Sequence, residues 1–98
     1  MRGMLSFHVL WILSKSPMNG RQVAGELGKR RGYNPTPGTL YPALKDLRKR
    51  GLVKMERVGR ATVYRLTGKG RKGLDEACSY FCRSFGEIFE EYVGGGPR

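Results

Sequence analysis

The side chains best equipped for chemistry in this sequence are its cations, and they are not evenly spread. Lys45, Arg48, Lys49 and Arg50 crowd the end of one segment, and Arg57, Arg60 and Arg65 follow soon after. Arginine and lysine at this density hold anions, and the arginine fork matches a phosphate through paired hydrogen bonds. Thr36, Thr39 and Thr62 add hydroxyls, Asn19 an amide and Tyr41 a phenol, all groups that contact phosphates or base edges. Covalent and acid–base machinery is missing: there is no Gly-rich phosphate loop followed by Lys and Ser or Thr, no nucleophile elbow and no carboxylate pair with an acid–base logic. No catalytic residue and no cofactor are therefore expected, and the chain reads as a binding protein rather than an enzyme. A zinc site needs about four ligands, and Cys78, Cys82 and the single His8 do not supply them, so no metal is expected either.

The formal net charge is +11 and the pI about 10.3 over 98 residues. Residues 1–73 carry 17 Lys and Arg against 3 Asp and Glu, a balance of +14, whereas residues 74–98 carry 2 against 5, a balance of −3. Such a surplus points to a polyanionic partner or a membrane surface. The split assigns anion contact to the first part and protein contact to the second. Arg2 followed by the apolar run from Met4 to Leu13 imitates a short signal peptide, but no small-x-small cleavage site follows and the run is too short to span a bilayer. A buried first helix is the expectation, without a membrane partner. Two cysteines one helical turn apart do not make a disulfide framework, which is in keeping with a reducing, cytoplasmic setting.

The elements that must position these cations are readable from the apolar pattern. Met4 to Ser14 is apolar on most sides, as a helix covered on more than one face must be. One face would meet its own domain and the other a second partner. Ser16-Pro17-Met18-Asn19-Gly20 breaks the chain. Arg21 to Arg31 forms a second helix with Val23, Ala24 and Leu27 inward and three cations at its C-terminal end. Gly25 and Gly28 weaken that helix and are candidates for close backbone approach. Thr36-Pro37 starts a third helix, with Thr as N-cap and Pro at the first helical position. Leu40, Leu44 and Leu47 recur at i, i+4 and i+7 as its buried stripe, and Gly51 stops it. Leu52–Val58 and Ala61–Leu66 read as a hairpin around Gly59-Arg60. Thr67 caps a last helix that runs to about Val93.

Three helices, a hairpin and a helix, with a short loop between the second and third helices, is the winged helix-turn-helix order. In that order the third helix enters the major groove and the hairpin reaches the flanking backbone. The predicted class is mainly α with a two-stranded β-wing and a C-terminal helix. The first turn of the third helix, Thr36, Pro37, Gly38 and Thr39, is small enough for close approach, and its free N–H groups can meet phosphate. Pro42, Lys45 and Arg48 fall to the sides or outward, with Tyr41 on a shoulder facing the groove. Arg57, Arg60 and Thr62 would contact DNA from the wing, Arg60 foremost and Arg65 less, and Asn19 and Arg21 would do so from the start of the second helix. The competing view is a merely solvated charged face, and edge-strand protection for the hairpin cations. Coincidence of the charge run with the groove helix favours contact.

In the last helix Leu74, Cys78, Phe81, Phe85, Ile88 and Tyr92 are spaced 4, 3, 4, 3 and 4, the alternation of a helix–helix seam. Fewer than three heptads cannot stand alone but can pair when anchored to a domain. Phe7, Trp11, Tyr80, Phe81, Phe85, Phe89 and Tyr92 either line a pocket for a flat small molecule or form interface core, and core is the commoner use. A small aromatic effector acting through this seam, or a redox response at Cys78 by pairing with its copy, is the alternative class of function. Charge alone would also suit a sequence-neutral, chromatin-like binder.

Pro37–Val53, "PGTLYPALKDLRKRGLV", followed by Tyr64–Gly70, "YRLTGKG", resembles the PadR family of transcriptional regulators. Gly38, Leu40, Tyr41, Pro42, Leu44, Leu47, Gly51, Leu52, Tyr64, Leu66, Thr67 and Gly70 match its pattern, and Ser16–Gly20 looks like its loop before the second helix. The resemblance covers most of residues 5–74 and departs at Arg21, where the family often has an aromatic. It implies a homodimeric DNA-binding protein of short type, usually a repressor. Dimerisation would use the C-terminal helix, helped by the first, through Leu5, Trp11, Leu74, Cys78, Phe81, Phe85, Ile88, Phe89 and Tyr92. The expected layout is a winged-helix DNA-binding domain over 1–66, a dimerisation helix over 67–93 and a flexible tail over 94–98. The expected partner is double-stranded DNA, read at a near-palindromic operator.

Overall fold

The computed structural model describes residues 2–94. Its elements are α1 (Arg2–Leu13), α2 (Gly20–Arg31), α3 (Pro37–Lys49), β1 (Val53–Val58), β2 (Ala61–Leu66) and α4 (Gly68–Val93). The order and the chain class match the expectation, and the tail expected beyond Gly94 lies outside the described residues.

Local chemistry explains the boundaries. Asn19 opens α2 with a reciprocal cap: its side chain accepts from the Gln22 N–H at 2.8 Å, and the Asn19 N–H donates to the Gln22 side chain at 2.9 Å. Gly32 closes α2 at φ 83, in the left-handed region where L side chains are strained. Helix α3 begins at Pro37, but Thr36 does not cap it with its side chain: that hydroxyl bonds the Thr39 hydroxyl at 3.1 Å. At the far end Gly51 takes φ 76, with its N–H on the Arg48 carbonyl and the Leu52 N–H on the Leu47 carbonyl, both at 3.0 Å. That pair of bonds is the Schellman arrangement, and it turns the chain into β1.

The core gathers around α1. Val9 and Ile12 of α1, Val23 and Leu27 of α2, and Leu40 and Leu44 of α3 are essentially sealed from solvent. Each such side chain contributes roughly 1.5–3 kcal/mol on burial. α2, α3, β2 and α4 of the same chain all pack against α1, while Met4 stays 41% exposed and Phe7 and Trp11 are only partly buried. Gly28 does mark a close approach, since a Cβ there would collide with the Asn34 side chain, but nothing lies near Gly25.

β1 and β2 pair antiparallel from Val53 with Leu66 to Val58 with Ala61. Gly59, at φ 62, makes the first position of the two-residue turn, as a type II′ hairpin requires. The loop before α2 is more ordered than a simple break, because Met18 exchanges both backbone hydrogen bonds with Tyr64, at 2.7 and 3.1 Å. This ties the start of α2 to the wing. The longest extent of the molecule is 57 Å. Helix α4 accounts for most of it, because its 26 residues span about 39 Å at 1.5 Å each. Among the described residues no helix is long and apolar enough to cross a membrane.

Candidate nucleic-acid interface

Burying Leu40, Leu44 and Leu47 turns the rest of α3 outward. Tyr41, Lys45 and Arg48 recur at the same i, i+4, i+7 interval and form an exposed stripe beside the buried one. Thr36, Pro37, Gly38 and Thr39, the start of α3, are all exposed, as is Pro42. Pro42 lies inside the helix, where it has no N–H to give the Gly38 carbonyl. The first backbone bonds of α3 run from the Thr39 and Leu40 N–H groups to the Thr36 carbonyl, at 3.0 and 2.9 Å. The Gly38 N–H has no acceptor among the described residues and points from an unobstructed helix start, as a phosphate contact needs.

The wing offers Arg57, Arg60 and Thr62, all exposed, and Arg21 stands exposed in the first turn of α2. Asn19 is half-buried, and its side-chain oxygen is held in the α2 cap. In the fold Asn19 therefore caps α2.

Charge pairing sorts the cations further. Lys29 binds Glu26 at 3.0 Å, Arg50 binds Asp46 at 2.9 Å, and Arg65 holds Glu56 with two bonds of 3.0 and 2.9 Å. Lys15 sits 4.1 Å over the Trp11 ring, and Lys69 donates to the Arg50 carbonyl at 2.9 Å. The side chains of Arg21, Lys45, Arg48, Arg57 and Arg60, like those of Arg30 and Lys49, have no ion pair or hydrogen bond among the described residues, so their charges face outward uncompensated. The hydrogen bonds and charge of Arg65 hold the Glu56 carboxyl below the usual carboxylate range. Burial pushes the Tyr64 phenol up, with Tyr41 and Arg48 nearby as lesser influences. Tyr64 itself is buried in the core from β2.

The residues assigned to a subunit interface divide. Leu5 and Leu74, at 7% and 3% exposure, belong to the protomer's own core and have almost no surface left for a partner. Trp11 and Cys78 are partly buried against that core. Phe81 is half-buried, its ring 5.0 Å from Phe7 and 5.2 Å from Phe85. Phe85, Ile88, Phe89 and Tyr92 are 52%, 57%, 64% and 86% exposed, an apolar row without cover. Sequence periodicity missed the Glu56–Arg65 bond, for which the hairpin register is the available signal: Lys54 faces Arg65, and Glu56 is its diagonal neighbour.

Known proteins carry the same arrangement. The model of the transcriptional regulator PadR-like family matches residues 9–76. The transcriptional regulator Rv3488 of Mycobacterium tuberculosis is 39% identical over 98 residues, spanning 96% of this chain and 87% of that protein. A PadR-like transcription factor from Bacteroides fragilis superposes with a TM-score of 0.78 at 27% identity, over 89% of this chain and 88% of that one. A winged-helix DNA-binding protein from STIV has the same fold, with a TM-score of 0.68 at 24% identity over 84% of this chain and 90% of that one. The exposed groove helix, its wing and the long final helix are thus those of a DNA-binding winged helix, and the chain belongs to the PadR-like family of transcriptional regulators.

Proposed function

We infer that the protein is a cytoplasmic repressor acting as a homodimer on a near-palindromic operator. The observation that carries this reading is the excess of outward cations free of acidic partners on α2, α3 and the wing, among them Arg21, Lys45, Arg48, Arg57 and Arg60. Most of the affinity comes from their phosphate contacts and falls steeply with salt as counterions are released. Thr36, Gly38, Thr39 and Tyr41 bring the start of α3 against base edges and give sequence preference. The exposed row Phe85, Ile88, Phe89 and Tyr92 supports pairing of two α4 helices, since an apolar row of this kind is seldom left in water. Paired α4 helices place two copies of α3 in successive major grooves, roughly 34 Å apart.

Selection of bound sequences from a random DNA pool, with sedimentation of the free protein, tests the reading. A recovered site with two related half-sites about one helical turn apart, and a dimer in solution, is the expected result. A protein that is monomeric at working concentration, or that recovers no sequence preference over bulk DNA, overturns it.

A further inference from the structure

The start of α4 is fastened to the end of α3. The Thr67 hydroxyl donates to the Gly51 carbonyl at 2.6 Å and accepts from the Gly70 N–H at 3.0 Å. The Thr67 N–H donates to the Leu52 carbonyl at 3.1 Å, and the Lys69 ammonium to the Arg50 carbonyl at 2.9 Å. Three successive carbonyls, that of the α3 C-cap Arg50 and those of Gly51 and Leu52 just beyond it, are thus all held by the α4 N-cap Thr67 and by Lys69. The Lys69 charge also suits the negative end of the α3 dipole. Gly70 is buried against this junction: a Cβ there would collide with the Leu52 carbonyl oxygen and lie 2.9 Å from its carbon and 3.0 Å from Leu66 Cδ1. Backbone cannot yield to a Cβ as a side-chain tip can, so only glycine lets α4 lie this close.

We propose that Thr67, Lys69 and Gly70 are positioning residues that fix the angle between α3 and α4, and so the separation of half-sites that the protein accepts. The inference rests on the dimeric reading above. Its logic is that of a lever. The exposed row that would meet a second subunit lies at the distal end of α4, far from the junction. A tilt of ~5° at the junction displaces a point ~20 Å along the helix by ~2 Å, about half the rise of one base pair. Looseness at the junction therefore becomes tolerance of wrong spacings, and a changed angle becomes a changed optimum. Lys69 is exposed and lies in the basic part of the chain, yet its ammonium is directed to a backbone carbonyl rather than away from the protein. That use is explained by the junction.

The test is binding of the full chain to duplexes carrying the selected half-site twice, with the separation varied in steps of one base pair. Wild type is expected to prefer one separation over its neighbours by about tenfold, because DNA resists the twist and bend that misplaced half-sites demand. Lys69→Ala and Thr67→Val are expected to keep the dimer and the affinity for a single half-site while that preference drops to about threefold or less. Gly70→Ala, if it folds, is expected to move the optimum. Affinity that falls in parallel at every separation, or a preference unchanged in Lys69→Ala and Thr67→Val, overturns the proposal. A wild-type protein indifferent to separation removes the dimeric reading itself and the proposal with it.

Discussion

The ring of Tyr41 lies across Gly20: a Cβ on Gly20 would stand 2.8 Å from both Cε1 and Cζ of that ring, and closer still to the hydroxyl. Gly20 is the first residue of α2 and Tyr41 sits in the second turn of α3, so the contact sets how closely the two helices approach beside the exposed stripe of α3. Gly20→Ala should overpack this contact and cost about 1–3 kcal/mol of stability in urea denaturation. The same substitution in a Tyr41→Leu background should cost clearly less. Equal costs in the two backgrounds would show that the ring is not the obstacle.

Arg60 and Arg65 are both wing arginines, but only Arg65 has a carboxylate to hold. Arg60→Ala should weaken binding to all sequences alike and lower the slope of log K against log salt by ~1. Arg65→Ala should leave that slope nearly unchanged and act on the wing instead, and only slightly, because the ion pair it removes is exposed to solvent. Anisotropy titrations over a salt series read both. An Arg60→Ala protein with unchanged affinity at moderate salt would remove the wing from the DNA contact.

The Glu56 carboxyl titrates below its ordinary range because the folded wing presents Arg65 to it. The unfolded chain therefore takes up the proton first as pH falls, so stability rises with pH across that interval. The contribution is complete above the ordinary carboxylate range and disappears as pH drops through the lowered value. Denaturation of wild type and Glu56→Gln at a series of pH values between neutral and acidic should show the difference shrinking toward acid. A constant difference would mean that Glu56 acts through packing and not through its charge.

The fold was legible where one local rule sufficed. Leu40, Leu44 and Leu47 repeat at helical spacing, Gly51 and Gly59 take the positive φ their turns demand, and each is where periodicity and turn chemistry put it. The exposed stripe of α3 was legible for the same reason, since burying one stripe of the helix exposes the rest. What stayed hidden depends on residues distant in sequence. Met18 pairs with Tyr64 through backbone alone, which no side-chain pattern announces. Tyr41 and Gly20 meet only once two helices are docked. The 4-3-4-3-4 seam of α4 is continuous in sequence but serves two surfaces, because apolar spacing records that a face is covered and not which molecule covers it.

That division of α4 leads to opposite outcomes for two similar substitutions. Leu74 is 3% exposed in the protomer core, and Leu74→Ala removes buried methyl groups and leaves a cavity. It should cost about 2–5 kcal/mol of stability at any protein concentration. Ile88 is 57% exposed, so Ile88→Ala takes almost nothing from the isolated protomer. If α4 pairs with a second α4, the same change withdraws apolar area from that contact. Ile88→Ala should then raise the dimer dissociation constant by about tenfold or more and weaken operator binding at low protein concentration, with monomer stability preserved. Sedimentation over a dilution series combined with urea denaturation separates the two effects. An Ile88→Ala protein that sediments like wild type at every concentration would place the subunit contact elsewhere, whereas a Leu74→Ala protein of undiminished stability would contradict the packing of α4 against α1.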